Sequence, residues 1–149
     1  MTRREARRHG FSLVFQLPFH PQENESVAQL IQHYYDGLEA EGVPKSRHVA
    51  YINRIMWGVF DRQEQIDQVI SKFLRGWSLQ RISKMDLAFL RVAIYEMLCE
   101  KDVPIATAIT EAIEMAKEYG TDDSPSFVNG VLANVNRSFK KEWEEKAES

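Results

Sequence analysis

Four arginines lie close together at the start of the chain. At about 100° per residue, Arg3, Arg4, Arg7 and Arg8 fall within an arc of roughly 140° on one helix. Guanidinium groups bind phosphate through paired hydrogen bonds and stack on bases. Residues 1–10 carry a charge of +3 although the whole chain carries −3, which leaves −6 on the rest. We therefore expect a surface patch of arginines that attracts an anion to one end of an acidic protein.

Two aromatic residues continue the line of these arginines. Phe11 and Phe15 follow Arg4 and Arg8 at helical spacing, and their rings could stack on unpaired bases. The alternative is that both rings belong to the core, because Leu13, Val14 and other apolar residues surround them. The apolar setting favours the core interpretation.

A second candidate contact is the turn at residues 121–125, before the last helix. The N-terminus of a helix offers free N–H groups and the positive end of a dipole to an anion. Asp122 and Asp123 would compete with a phosphate there, and the alternative is ordinary helix capping by Ser124 with Pro125 at the first position.

The sequence lacks the motifs of the common enzyme classes. The four histidines have no metal-ligand spacing, the glycines form no phosphate loop, and no G-x-S-x-G run is present. Glu111 and Glu114 are three residues apart, but a solvated helix face explains them better than a catalytic carboxylate pair. Cys99 is the single cysteine, and its apolar neighbours indicate a small buried apolar residue. We expect no metal, no cofactor and no enzymatic activity.

Helical periodicity positions all of these residues. A first segment closes at Pro18 and Pro21, and further helices are predicted at residues 26–41 and 46–75, the latter with a break at Gly58 or Asp61. Three more helices are predicted after these. The first begins with a capping box of Ser83 and Asp86. The second has Pro104 in its first turn and ends at a left-handed Gly120, and the third begins at a Ser124 cap.

No segment alternates like a strand, so an all-α helical bundle is predicted. The length suits one domain over residues 1–149, with residues 140–149 as a charged tail that frays or stays helical. No apolar run approaches the roughly 18 residues that cross a bilayer, and the arginine-rich start is not followed by a secretory cleavage site. We expect a cytoplasmic protein with no membrane contact.

Several runs resemble the NusB family in order and spacing. They are residues 3–7 (RREAR), 87–98 (LAFLRVAIYEML), 102–105 (DVPI), 108–117 (AITEAIEMAK) and 124–132 (SPSFVNGVL). Residues 20–75 match only in length and helical pattern. Thr110 stands where the family usually has Asn, and Ser126 stands where a basic residue is common, which puts one phosphate contact in doubt.

The resemblance implies a fold of two small helical sub-bundles and a role in transcription antitermination. It implies binding of the single-stranded boxA element of nascent ribosomal RNA, pairing with the ribosomal protein that doubles as NusE, and joining an antitermination complex on RNA polymerase. Members are monomers or dimers, so a homodimer is possible.

The resemblance also assigns residues to these contacts. Arg3, Arg4 and Arg7 match the basic motif, Arg8 shares its arc, and Phe127 and Asn129 match the segment near the RNA. With the turn residues Asp123 and Ser124, these form the predicted RNA-binding set. Phe127 has an equally good interpretation as a core residue.

Asp86 resembles an acidic position facing the NusE-type partner, which is generally basic. Its alternative role is the capping box.

Two alternatives to this function follow. The NusB fold also occurs as the N-terminal domain of RNA cytosine methyltransferases, but the sequence ends at Ser149, so we expect no catalytic domain. The other alternative is a protein–protein interaction module without its own RNA role.

Overall fold

The computed structural model describes residues 1–43 and 48–140. The predicted all-α class is confirmed, because every regular element within those residues is helical. The α-helices are α1 (Arg3–Gln16), α2 (Asn24–Ala40), α3 (Val49–Asp61), α4 (Gln63–Ser71), α5 (Lys84–Cys99), α6 (Ile105–Tyr119) and α7 (Ser124–Ser138). Short 3-10 turns lie at Leu17–Phe19, directly after α1, and at Leu79–Arg81, between α4 and α5.

Helix α1, which carries the arginines, has well-defined ends. The Thr2 hydroxyl accepts a hydrogen bond from the Glu5 N–H at 3.1 Å, and the Glu5 carboxylate accepts one from the Thr2 N–H at 3.2 Å. This capping box satisfies two donors that the helix cannot pair internally. At the other end Pro18 lies within the 3-10 turn that follows Gln16. Local interactions therefore define both ends of α1.

The break predicted within residues 46–75 is confirmed near Asp61. Arg62 separates α3 from α4. Gly58 is not a break but an interior residue of α3, where a Cβ atom would overlap the Tyr95 ring of α5. The glycine allows α3 and α5 to approach closely.

Helix α5 is the central element of the fold. Its residues 87–97 are all buried, and it packs against α1 and α3 as well as against α4, α6 and α7. One sub-bundle consists of α1, α3 and α5 and the other of α5, α6 and α7, so α5 is common to the two predicted sub-bundles. Each large apolar side chain buried along α5 contributes roughly 1.5–3 kcal/mol.

The start of α5 only partly follows the prediction. The Ser83 hydroxyl accepts a hydrogen bond from the Asp86 N–H at 3.0 Å, so the Ser83 cap is confirmed. The Asp86 carboxylate does not complete the box, because its Oδ1 atom has no hydrogen-bond partner. Pro104 lies just before α6 rather than in its first turn.

Within residues 1–43 and 48–140, no helix combines the length and the apolar character needed to cross a membrane. The charged tail was predicted at residues 140–149. Of these, only Lys140 belongs to the described residues.

Candidate nucleic-acid interface

The four predicted arginines do project from one helix, but each is paired with a carboxylate. Arg3 donates to Asp102 at 3.0 Å, and its guanidinium lies 4.1 Å from the centre of the Tyr51 ring. Arg4 donates from Nε and Nη2 to Glu111 at 3.1 and 2.8 Å. The side chain of Arg3 is 37% exposed and that of Arg4 is 57% exposed, so both still reach solvent.

Arg7 corrects the expectation that all four arginines lie on the surface. Its side chain is only 4% exposed, and it donates to Glu96 of α5 at 2.7 and 3.1 Å. The Tyr51 hydroxyl donates to the same carboxylate at 2.6 Å. Burial raises the pKa of Tyr51, and the nearby Glu96 charge raises it further, so the hydroxyl keeps its proton. Arg7 therefore holds α1 to α3 and α5 instead of facing a ligand.

Glu111 corrects a second expectation, that of a solvated acidic face on α6. It is buried, bonded to Arg4, and within 3.8 Å of Arg7 and 4.0 Å of Arg8. Arg8 donates to Glu118 at 2.8 Å, and this hydrogen bond lowers the pKa of the Glu118 carboxyl. The carboxylates of α6 therefore neutralise much of the arginine patch.

The aromatic residues of α1 lie beneath this charged layer. Phe11 is buried, with its ring stacked 4.8 Å from Phe89 and 5.6 Å from Tyr119. Phe15 is half-buried and packs against the core. The core interpretation of Phe11 is confirmed, and the Tyr119 contact joins α1 to the end of α6.

Ion pairs beyond the four arginines of α1 were missed in the sequence. Glu100 accepts from Arg54 at 3.0 Å and from the Tyr95 hydroxyl at 2.7 Å, and Arg91 donates to Asp67 at 2.9 and 2.7 Å. The available signal was the presence of charged residues inside the apolar run of α5. Charged residues are seldom fully buried unless they are paired.

The turn before α7 differs from the prediction at two residues. Gly120 has φ −90° and ψ −167°, so it is extended and not left-handed. A Cβ atom there would lie 2.6 Å from the Ser124 Cβ, so the glycine provides space for packing. Ser124 is the first residue of α7 rather than its cap, is 2% exposed, and accepts a hydrogen bond from the Thr121 N–H at 3.0 Å. Its hydroxyl stabilises the turn and is not presented to a ligand.

Three of the other predicted residues line a shallow groove of about 300 Å³. Asp86, Asp123 and Phe127 line it together, so the predicted partner-binding residue is next to two predicted RNA-binding residues. Asp123 is exposed and makes no side-chain cap hydrogen bond to α7. Phe127 is half-buried, and Asn129 is exposed on the following turn.

Trp77 lines the same groove and was not identified in the sequence. Its side chain is 59% exposed, which is unusual for so large an apolar residue. A lone tryptophan in the polar stretch after Gly76 was the signal that could have found it.

Comparison with known proteins places this architecture in a family. Residues 4–137 match the NusB family model. The transcription antitermination protein NusB of Pseudothermotoga lettingae is 43% identical over 143 residues, covering 95% of this chain and 96% of that protein. Its namesake from Acetivibrio thermocellus is 42% identical over 135 residues, covering 91% and 88%.

Solved structures agree with this placement. T. maritima NusB superposes with a TM-score of 0.82 at 36% identity, covering 97% of this chain and 98% of that one. A chain from a crystal structure of a plectonemic RNA supercoil shares the fold at 22% identity, with a TM-score of 0.78 and coverage of 93% and 96%. On the family match and on the full-length relatives, this chain belongs to the NusB family.

Proposed function

We propose that the chain is a transcription antitermination factor that acts by binding rather than by catalysis. The observation that carries the proposal is the match to relatives named for antitermination over nearly the whole length of both proteins. The finer proposal is that the chain binds the boxA element of nascent ribosomal RNA together with a NusE-type ribosomal protein, within a complex on RNA polymerase.

The proposed RNA surface begins on α1 and ends at α7. Arg3, Arg4 and Arg8 retain some exposure and supply the cationic contacts, while Phe127 and Asn129 offer a ring and an amide to unstacked bases. The last turn of α6 connects the two ends, because Glu118 and Tyr119 contact α1 and the chain then turns directly into α7. Arg7 supports this surface from below.

The proposed partner surface includes Asp86. Since Ser83 alone caps α5, the Asp86 carboxylate is not needed for the cap, and its buried Oδ1 atom has no hydrogen-bond partner. The Asp86 side chain as a whole is partly exposed at the groove, so a basic partner could pair with its carboxylate and charge complementarity would favour association.

The direct test is a titration of a fluorescently labelled boxA-like RNA, with and without the NusE-type protein, over a series of salt concentrations. We expect tighter binding with the partner present. We also expect log affinity to fall with log salt by about 0.7 for each phosphate contacted. If the chain binds the partner but not the RNA in either mixture, the interaction-module alternative replaces this proposal.

Asp123→Asn gives that titration a sharper readout. The exposed carboxylate beside Phe127 would repel a phosphate by roughly 1 kcal/mol, so its removal should tighten RNA binding several-fold, more at low salt. Asn can still accept a hydrogen bond at a helix start, so the fold should be unaffected. Asp36→Asn, on the exposed face of α2, is the matched control and should change nothing. Equal affinities for Asp123→Asn and the unaltered protein would remove this turn from the RNA path.

A further inference from the structure

The cations that lack a carboxylate partner are not those of α1. Among the described residues, Arg75 and Arg137 make no ion pair with an acidic side chain, and both line a groove of about 490 Å³ between the segment after α4 and helix α7. None of the described residues lining this groove is acidic, although the protein as a whole carries −3. The groove is therefore a basic site on an acidic molecule.

The same groove contains the most exposed tryptophan of the described residues. Trp77 and Phe127 both line it, and both also line the smaller groove that contains Asp123. The two grooves are thus neighbours that share these two aromatic side chains. A ligand that reaches Phe127 from the α6–α7 turn meets Trp77 next.

Polar groups that could read a base lie beside these rings. Asn134 lines the groove, and its Oδ1 atom accepts a hydrogen bond from Arg137, which orients the amide. Aromatic rings, guanidinium groups and an oriented amide make up the chemistry that binds single-stranded nucleic acid, and no carboxylate is among the described residues that line this groove.

We propose that single-stranded RNA continues past Phe127 into this groove, where a base stacks on Trp77 and phosphates pair with Arg75 and Arg137. This inference rests on the proposed RNA-binding function and extends it to a surface outside the arginine motif of α1. A protein segment is disfavoured as the occupant, because it would have to be acidic whereas the proposed partner is basic.

The first test compares Trp77→Ala with Trp77→Phe in the boxA-like RNA titration. Because stacking on an aromatic side chain contributes substantially per base, Trp77→Ala should weaken binding by about five-fold to about a hundred-fold, and Trp77→Phe should retain most of the affinity. Phe19→Ala is the matched control, since Phe19 is 62% exposed but lines neither groove and should not alter binding. The exposed position of Trp77 allows the variants to fold, which circular dichroism checks.

The second test uses charge. Arg75→Gln should flatten the salt dependence by about 0.7, and the double variant with Arg137→Gln by about 1.4. Arg62→Gln, an exposed arginine between α3 and α4, should leave the slope unchanged. The loss should be larger for an RNA with flanking nucleotides than for the bare element, because the groove lies beyond Phe127.

The outcomes separate this inference from the proposed function. If the unaltered protein binds no RNA with or without its partner, the proposed function fails and the inference fails with it. If the protein binds RNA and Asp123→Asn tightens it, but Trp77→Ala and Arg75→Gln change neither affinity nor slope, only the inference is overturned. A Trp77→Ala variant that keeps RNA binding and loses the NusE-type protein would identify the groove as a protein interface and would also overturn it.

Discussion

Replacing Arg7 by methionine tests whether the arginine motif is partly structural. The Arg7 side chain is 4% exposed and that of Glu96 is 1% exposed, and two hydrogen bonds of 2.7 and 3.1 Å join them. Methionine retains the length of the aliphatic stem but removes the charge and the donors. The Glu96 carboxylate would then be buried without the guanidinium that offsets its desolvation.

The expected magnitude follows from burial. Removing one partner of a buried ion pair costs about 3–5 kcal/mol, a large part of the roughly 5–15 kcal/mol that stabilises a small protein. For a chain of this size, each kilocalorie per mole lowers Tm by about 2–4 °C, so a fall of roughly 6–20 °C is expected. Lys117→Met is the control, because Lys117 and its partner Glu114 are 59% and 41% exposed, and such a pair should contribute no more than about 1 kcal/mol.

Urea unfolding followed by circular dichroism measures both losses, and a double-mutant cycle identifies the cause. Glu96→Gln keeps a side chain that can accept the Tyr51 hydrogen bond but removes the charge. The double variant Arg7→Met/Glu96→Gln should therefore lose less free energy of unfolding than the sum of the losses of the two single variants. A loss below about 1 kcal/mol for Arg7→Met, or strict additivity in the cycle, would refute the structural role.

Three further predictions concern other parts of the molecule. Asp86→Asn should weaken binding of the NusE-type partner, measured by calorimetry, with little change in Tm; a lower Tm with unchanged binding would restore the capping role. Gly58→Ala should destabilise the fold by about 1–3 kcal/mol or more, because the new Cβ atom would overlap the Tyr95 ring. Gly37 has open space around it on α2, so Gly37→Ala should stabilise the fold by roughly 0.5–1 kcal/mol in the same urea assay. Burial alone would raise the pKa of Glu100, but hydrogen bonds from a guanidinium and from Tyr95 hold it below the ordinary 4.5; its contribution to stability should be complete above about pH 5 and lost as the pH falls through the folded value. Urea midpoints between about pH 7 and about pH 3 check this, and Glu100→Gln should flatten the decline.

The helices could be predicted because their signals are local. Apolar spacing identified the helices of the bundle, and the Ser83 cap required only a hydroxyl at the right offset from α5. The partners of the arginines could not be predicted in the same way. Arg7 and Glu96 are 89 residues apart in the chain, and Arg8 and Glu118 are 110 apart, so only the packed fold brings them together.

The turn before α7 shows a subtler limit. A glycine after a helix usually indicates a left-handed backbone, yet Gly120 is extended, and a Cβ atom there would lie 2.8 Å from the Ala116 carbonyl and 2.6 Å from the Ser124 Cβ. At this position glycine is therefore needed because a side chain would not fit, and not because the backbone is left-handed. Which of the two applies depends on how α7 packs against α6, and spacing does not encode that packing.

The pairing of the arginines also changes how RNA affinity should be distributed over the surface. Arg4 binds a phosphate less favourably while it is hydrogen-bonded to Glu111, because the phosphate must either displace that carboxylate or share the guanidinium with it. Displacement leaves a buried Glu111 charge beside an incoming anion, so the contact is an exchange with a smaller net gain than a contact to an unpaired cation. Arg75 and Arg137 face no such exchange with an acidic side chain among the described residues. On an acidic protein, the density of arginines in the sequence therefore indicates where the fold binds its own carboxylates as much as where it binds RNA. The net affinity per arginine should be greater in the groove lined by Arg75 and Arg137 than along α1.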